Sequence, residues 1–176
     1  MDNLVKVENI KTDLAAYTGE NILKRKFYET NACFVHQDLI EPLNKIQTEL
    51  FEMGYQLVIT DAYRPLSVQK LIFELIGGDT KYVSDPNNSR HPRGTAVDVS
   101  LLDLEGNKLE MPTSFSEFGQ KCWADAECNT EALNNRTLLQ NIMTNHGFEI
   151  YKYEWWHFDF KGWSDNDKYP ALDFKI

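Results

Sequence analysis

The chain has 176 residues, the usual size of one domain with one hydrophobic core, so we expect residues 1–176 to form a single domain. Hydrophobic residues make up 42% of the chain and charged residues 26%, as in ordinary globular proteins, and no apolar run is long enough to span a membrane. An excess of 27 acidic over 18 basic side chains gives a formal net charge of -9, which repels phosphate backbones and anionic lipid headgroups. We therefore expect neither nucleic acid nor a membrane as a partner.

Two helices and one strand are predicted in the first half of the chain, after an irregular N-terminal segment. Over 37–53 the apolar residues recur at helical spacing, and Gly54 stands where a C-terminal cap is expected. The β-branched residues at 55–60 predict a strand that ends at the sequence Asp-Ala-Tyr-Arg-Pro, and a second helix is predicted over 66–76. The apolar positions of the first helix are Leu39, Leu43, Ile46 and Leu50.

Strands and helices continue to alternate in the second half. A turn-rich loop at 83–88 leads towards a strand over 95–101. The remaining predicted elements are helices at 115–127 and 131–146 and strands at 148–152 and 155–160. Helices that alternate with short strands, some of them joined as a hairpin, indicate an α+β fold rather than a doubly wound one.

The cysteines and the N-terminus bear on the cellular compartment. Cys33, Cys122 and Cys128 form an odd set without C-x-x-C spacing, so neither a disulfide framework nor a structural zinc site is indicated. A reducing compartment fits this set best. The N-terminal residues lack the basic stretch and apolar core of a signal peptide, so we expect a cytoplasmic protein, or a periplasmic one if a leader has been removed.

One loop and the strand that follows it carry a histidine and an aspartate suited to a metal ion. Side chains alternate along a strand, so Val97 and Val99 face the core and Asp98 projects from the opposite face beside Ala96. A buried carboxylate is costly unless it is paired or metal-bound, and the small residues nearby leave room for an ion between His91 and Asp98. Considered alone, the segment is also compatible with a solvated loop and an exposed aspartate.

A second candidate segment is the sequence Glu-Trp-Trp-His at 154–157. Its aromatic residues favour a strand, on which an odd separation would direct the glutamate and the histidine to opposite faces. We therefore place Glu154 in the turn before the strand and His157 within it, so that both approach one site. Considered alone, an aromatic strand with one histidine is also typical of a hydrophobic core.

Together the two segments supply the ligand set of a catalytic zinc site. His91, Asp98 and His157 provide two imidazoles and one carboxylate, with which zinc keeps a fourth position open for water. Glu154 would then be the general base that takes a proton from this water. Arg64, at a strand exit and kept extended by the proline after it, could stabilise a developing oxyanion, and a surface salt bridge is the alternative role.

Four motifs of the chain resemble those of the zinc D-alanyl-D-alanine peptidases. Residues 89–98 match every fixed position of the signature S-x-H-x-x-G-x-A-x-D, and residues 154–157 supply E-x-x-H. More closely, Asp-Ala-Tyr-Arg-Pro at 61–65 and Glu-Trp-Trp-His-Phe at 154–158 resemble the D-alanyl-D-alanine dipeptidases. The similarity extends from Asp13 to about Phe160, and the motifs occur in the family's order.

This resemblance implies a cofactor, an activity and a fold. It implies that one Zn²⁺ per chain is held by His91, Asp98 and His157, that Glu154 is the catalytic base, and that Arg64 steadies the tetrahedral intermediate. The implied substrate is D-alanyl-D-alanine or another small cell-wall peptide. The implied fold is a small α+β domain with a central antiparallel sheet flanked by helices, shared with hedgehog signalling domains.

Two departures from the family pattern concern the amino group of the substrate. Family members commonly have an aspartate, expected to hold the free ammonium, where this chain has Ser116, and a hydroxyl cannot offset a buried ammonium unless Glu117 substitutes. Tyr17 stands one place away from the family's N-terminal tyrosine. The resemblance thus implies Asp61, Ser89, Ser116 and Tyr17 as substrate-binding residues, in a pocket that is rebuilt or that takes a longer peptidoglycan peptide.

Other functions remain open at this stage. A D,D- or L,D-carboxypeptidase or endopeptidase that cuts longer peptidoglycan peptides would use the same chemistry. A non-catalytic zinc-binding or peptide-binding module fits less well, because a structural site needs neither Glu154 nor Arg64. An iron oxygenase also uses two histidines and a carboxylate, but its first pair is usually H-x-D, whereas six residues separate His91 from Asp98.

Overall fold

The computed structural model describes residues 3–115 and 117–176, and strands in these residues form two sheets. In chain order the strands are β1 (Leu4–Lys6), β2 (Lys11–Thr12), β3 (Phe34–His36), β4 (Tyr55–Asp61), β5 (Ala96–Asp103), β6 (Phe148–Ile150) and β7 (His157–Phe160). The main sheet has the order β2-β4-β5-β7-β6, and β1 pairs with β3 in a separate sheet. All paired strands are antiparallel except β2 and β4, so the predicted antiparallel centre of the sheet is confirmed.

Helices connect and cover the strands. The α-helices are α1 (Ala15–Thr18), α2 (Ile40–Glu52), α3 (Leu66–Leu75) and α4 (Thr130–Asn145). Short 3-10 helices lie at Gln37–Leu39, His91–Arg93 and Gln120–Cys122. Among the described residues, none of these helices combines the length and apolarity needed to cross a bilayer. The α+β class predicted from the sequence is confirmed.

The hydrophobic core lies between one face of the main sheet and helices α2 and α4. The four apolar positions predicted for the first helix are all buried, at 0–1% exposure. Val97 and Val99 of β5 are fully buried in the same core cluster. Because side chains alternate along β5, Asp98 projects from the opposite face of the sheet, which is the face available for a site.

The predicted helix at 115–127 is wrong for the described residues of that segment. The segment forms only the 3-10 helix Gln120–Cys122, which follows Gly119 at φ 113° and ψ -173°, a conformation outside the helical region. The ring of Phe118 packs edge-to-face on Trp156, with 5.9 Å between ring centroids. Phe118 therefore packs against another segment of the chain rather than as part of a helix face.

The N-terminal third, predicted to be irregular, contains β1, β2, α1 and β3. These elements have only two to four residues each, which is too short for a hydrophobic period to be recognised in the sequence. The sheet pairings and the packing of Leu14 and Ala16 in the core stabilise them instead.

The cysteines are expected to differ in reactivity toward iodoacetamide. Cys33 and Cys122 are buried, and burial raises the pKa of both thiols, whereas Cys128 is partly exposed. We expect the native protein to be labelled at Cys128, and at the other two cysteines only after unfolding, as read by peptide mass spectrometry. Labelling of Cys33 at the rate of Cys128 in the native protein would contradict this.

Candidate active site

The main sheet places three polar residues side by side. Asp98 in β5 lies opposite His157 in β7 and, on its other side, opposite Asp61 in β4. Residues that oppose each other in adjacent strands share a face, so all three project away from the core. A β-bulge between Ile59 and Asp61 shifts the register by one residue, and Asp61 rather than Thr60 therefore faces Asp98.

His91 approaches the same face from the 3-10 helix His91–Arg93. Its Nδ1 lies 2.6 Å from the carbonyl oxygen of Ala62, and only an N–H can bond to that acceptor. In the neutral imidazole Nε2 then carries no proton, and it lies 3.6 Å from Oδ1 of Asp98. The backbone of Ala62 thus sets which nitrogen of His91 is available to a metal.

The loop that carries His91 requires glycine at position 94. Gly94 has φ 67°, and a Cβ there would lie 2.7 Å from Leu4 Cδ2 and 2.8 Å from the backbone nitrogen of His36. We expect Gly94→Ala to lower the free energy of unfolding by about 3 kcal/mol, because left-handed strain and overpacking add together. In the control Gly54→Ala, φ is also positive but no atom lies within 4 Å, so only the strain of about 1–2 kcal/mol is expected. Equal losses in urea unfolding would contradict the close contact.

His157 is held between two carboxylates. Its Nδ1 lies 2.9 Å from Asp98 Oδ1, and its Nε2 lies 3.0 Å from Asp159 Oδ1. Burial alone would lower the pKa of His157, but the hydrogen bonds to Asp159 and Asp98 outweigh it and hold the pKa well above its ordinary value. A metal that binds His157 through Nδ1 must therefore displace a proton from that atom.

Together, His91, Asp98 and His157 form the group among the described residues that could hold a metal ion. One ligand atom from each lies within 4.8 Å of the others, and all three residues are buried. Burial, together with the nearby charge of Arg64, lowers the pKa of His91 to about 3, so this imidazole is neutral, as a metal ligand must be. Two imidazole nitrogens and one carboxylate oxygen match the donors of catalytic zinc, and a cation would compensate the buried charge of Asp98.

Glu154 lies beside this group. It stands in the turn before β7, as predicted, and its Oε2 is 3.8 Å from Nδ1 of His157, the first residue of the strand. Burial raises the pKa of Glu154 to about 7, with a contribution from Asp98, while His157 and Arg64 act in the opposite direction. The carboxyl group can therefore accept and release a proton near neutral pH.

Arg64 forms a partly buried ion pair next to the ligand group. Its Nε donates to Asp61 Oδ2 at 3.2 Å, its Nη2 contacts the same oxygen, and its Nη1 donates to Gln69 Oε1 at 2.7 Å. Burial would lower the pKa of Arg64, but Asp61 outweighs it and holds the pKa above its ordinary value. The salt bridge considered as an alternative role is present, but it lines the site and is largely shielded from solvent rather than on the open surface.

The comparison with known families decides to which family the chain belongs. A sequence profile described as "D-ala-D-ala dipeptidase" matches residues 2–175. The chain belongs to the D-ala-D-ala dipeptidase family. The resemblance inferred from the motifs is thereby confirmed, and the protein is a hydrolase of the metallopeptidase type.

Two relatives from the same family align with nearly the whole length of this chain. A D-alanyl-D-alanine dipeptidase of Escherichia coli (strain K12) is 36% identical over 161 residues, covering 90% of this chain and 83% of the relative. One of Enterococcus faecium is 30% identical over 196 residues, covering 97% of this chain and 94% of the relative.

Solved structures of other peptidases share the fold of this chain. The LdcB LD-carboxypeptidase superposes with a TM-score of 0.56 at 20% identity, covering 100% of this chain and 80% of that one. VanYB, solved in complex with D-Alanine-D-Alanine, gives a TM-score of 0.50 at 14% identity, covering 84% and 83% of the two chains. At these identities the similarity concerns the fold alone, and it agrees with the peptidase-like fold predicted from the motifs.

The dipeptidase-family site opens into a small cavity of about 90 Å³. Glu154, Arg64 and the three candidate ligands all line it. The other walls come from the segment around α1, from α3, from the loop at 82–84 and from the aromatic residues near β7. Examples of these wall residues are Ala16, Asn21, Ile72, Tyr82, Phe118 and Trp156.

Of the four residues predicted to bind substrate, two lie on the wall of this cavity. These are Asp61, which holds Arg64, and the buried Ser89. Tyr17 is not among the described residues that line the cavity, and Lys26 Nζ lies 5.2 Å from the centroid of its ring. Ser116 lies outside the described residues, so its predicted role stays a prediction.

The residues that sequence reasoning missed are those that hold the candidate ligands. Asp159 could have been found, because it follows His157 by two residues in a strand and must share its face. Gln69, which contacts Arg64, lies in the first turn of α3, but nothing in the sequence relates its amide to the guanidinium. Ala62 acts through its carbonyl oxygen, and a backbone acceptor leaves no signal in the side-chain sequence.

Proposed function

We propose that the protein is a zinc-dependent D-alanyl-D-alanine dipeptidase, which adds water to D-alanyl-D-alanine and releases two molecules of D-alanine. The observation that carries this proposal is the partly buried carboxylate of Glu154, 3.8 Å from His157 Nδ1 at the edge of the His91, Asp98 and His157 group. The curated relatives named D-alanyl-D-alanine dipeptidase, at 36% and 30% identity over most of the chain, support it.

Each polar residue of the site has a role in this reaction. Zn²⁺ held by His91, Asp98 and His157, one ion per chain, would keep a position for water and polarise the carbonyl oxygen of the peptide bond. Glu154 accepts a proton from the attacking water and delivers it to the leaving amino group. Arg64 presents N–H donors and a permanent positive charge to the carbonyl oxygen as that oxygen gains negative charge.

The cavity beside the candidate ligands is small enough for a dipeptide, and a larger neighbouring cavity of about 450 Å³ also has Glu154 and Phe118 on its wall. The volume of the smaller cavity, about 90 Å³, is well below the roughly 300–1,000 Å³ of sites for drug-sized ligands. Asp61 orients Arg64 through their ion pair, and the hydroxyl of Ser89 lies on the same wall. We retain Ser116 and Tyr17 as proposed contacts to the substrate, and the cytoplasm as the proposed compartment.

A carboxypeptidase or endopeptidase acting on longer peptidoglycan peptides is the second candidate, and a specific observation favours it. Among the described residues, the carboxylates that line the cavity are Asp61, Asp98 and Glu154, and each already has a partner or a role. Glu117, the proposed substitute for the family's ammonium-binding aspartate, is exposed and does not line the cavity. A substrate without a free ammonium would need no further carboxylate.

Comparison of D-alanyl-D-alanine with its N-acetylated form tests the proposed function. We expect the zinc-loaded protein to cleave the free dipeptide and to lose at least about 100-fold in kcat/KM on the blocked one, because an acetyl group removes the charged amine and enlarges the substrate. Equal or faster cleavage of the blocked form, or of longer D,D- or L,D-peptides, would favour the second candidate. Absence of hydrolysis across the whole panel would contradict both.

A further inference from the structure

A second carboxylate holds the ring of His157 on the side away from the candidate metal position. Nδ1 of the ring faces Asp98 at 2.9 Å, whereas Nε2 lies 3.0 Å from Asp159 Oδ1. Asp159 is only 5% exposed and, in the part of the chain that the structure describes, it does not line the substrate cavity. Its contact is therefore with the ring and not with a ligand in the cavity.

An arginine lies at the other oxygen of Asp159. Nε of Arg90 forms an ion pair with Asp159 Oδ2 at 3.4 Å without hydrogen-bond geometry, and the guanidinium carbon lies 4.1 Å from the centroid of the Trp163 ring. The ring of Tyr151 lies 5.9 Å from the same carbon. The aromatic rings and the carboxylate together restrict the guanidinium, since planar stacking and an ion pair act from different directions.

Arg90 is also connected to the other imidazole of the site. It directly precedes His91 in the chain, and its carbonyl oxygen accepts a hydrogen bond from the backbone N–H of Arg93 at 3.0 Å. That bond closes the short helix on which His91 stands. Arg90 is therefore connected to both histidines. Its backbone belongs to the segment that carries His91, and its side chain contacts Asp159, which contacts His157.

We propose that Asp159, itself paired with Arg90, is the positioning residue of His157. It accepts the proton on Nε2, which fixes the orientation of the ring and directs the lone pair of Nδ1 toward the metal position. The proposal rests on the zinc site of the proposed function. It assigns Asp159 to metal affinity and not to substrate binding.

Substitutions at position 159 test this role through the affinity for zinc. Asp159→Asn keeps the size of the side chain, but its amide cannot offer an oxygen to both His157 and Arg90. We expect zinc affinity to fall by about 10-fold in Asp159→Asn and by about 100-fold in Asp159→Ala, the range found for outer partners of ligating histidines. Competition against a fluorescent zinc chelator measures this without reference to activity.

A matched control separates positioning from a general effect on the strand. Glu149 lies directly opposite Asp159 in β6 but is exposed, so Glu149→Ala should leave zinc affinity within about twofold of the wild type. At saturating zinc, KM for the dipeptide should also stay within about twofold in Asp159→Asn, because Asp159 does not line the cavity. Wild-type zinc affinity in Asp159→Asn, with lowered stability of the metal-free protein, would overturn the proposal and leave only a structural role.

These experiments distinguish failure of the Asp159 proposal from failure of the proposed function. If the wild type binds zinc but cleaves no dipeptide, the proposed function fails, and the affinities of the position-159 variants still decide the role of Asp159. If the wild type binds no zinc, both proposals are wrong.

Discussion

Replacing Glu154 with alanine is expected to reduce kcat/KM for D-alanyl-D-alanine by about 10³-fold while zinc remains bound. Both the position and the pKa of Glu154 support this expectation. Glu154 stands at the edge of the ligand group without belonging to it, and burial raises its pKa to about 7, which suits a group that must accept and then release a proton. Steady-state kinetics and elemental analysis of the same preparation measure the two quantities.

The control for this experiment is a second glutamate. Glu117 is exposed and does not line the cavity, so Glu117→Ala should change kcat/KM by no more than about twofold. Full activity in Glu154→Ala would exclude Glu154 as the base. Loss of zinc together with activity would assign it to the metal site instead.

Removing His91 is expected to abolish both zinc binding and hydrolysis. His91→Ala takes away one of three candidate ligands, and its Nε2 is the ring nitrogen that faces Asp98. With two ligands left, we expect less than about one tenth of an equivalent of zinc after dialysis, and hydrolysis below detection at any pH. The same loss should follow chelation of the wild type, with recovery when zinc is added back.

His146 provides the matched histidine control. It stands at the end of α4 and its Nε2 lies 2.8 Å from Glu49 Oε1, outside the cavity. His146→Ala should therefore keep a full equivalent of zinc and full activity. Retention of zinc in His91→Ala would contradict the ligand assignment, and iron with oxygen-dependent turnover in the wild type would favour an oxygenase.

The local sequence was sufficient to predict features that depend on interactions within a single helix or strand. The helical spacing of four apolar residues predicted α2. The alternation of side chains along β5 predicted that Val97 and Val99 are buried while Asp98 faces the other way. The same alternation argument placed Glu154 in a turn and His157 in a strand. These are properties of a single helix or strand, so a window of about ten residues contains the information.

Local sequence failed where packing outweighed pattern. A helix was predicted at 115–127, but Gly119 takes a non-helical conformation and Phe118 packs on Trp156 instead. Arg64 was compatible with a surface salt bridge, and only the fold shows that Asp61 and Gln69 hold it in a partly buried position. In the first case one backbone conformation and a contact with a distant segment decide the outcome. In the second case the partners are near in sequence, and the sequence did not show that the ion pair lies inside the fold.

The sequence by itself determined which chemical groups the site contains, because the signatures at 89–98 and 154–157 carry both imidazoles and both carboxylates in a recognisable order. Only the tertiary structure decided how these groups meet. Asp98 and His157 are 59 residues apart and become neighbours through the register of β5 and β7, and a one-residue bulge brings Asp61 to the same position. Strand register depends on pairing between distant segments, and a shift of one residue would turn every one of these side chains to the opposite face.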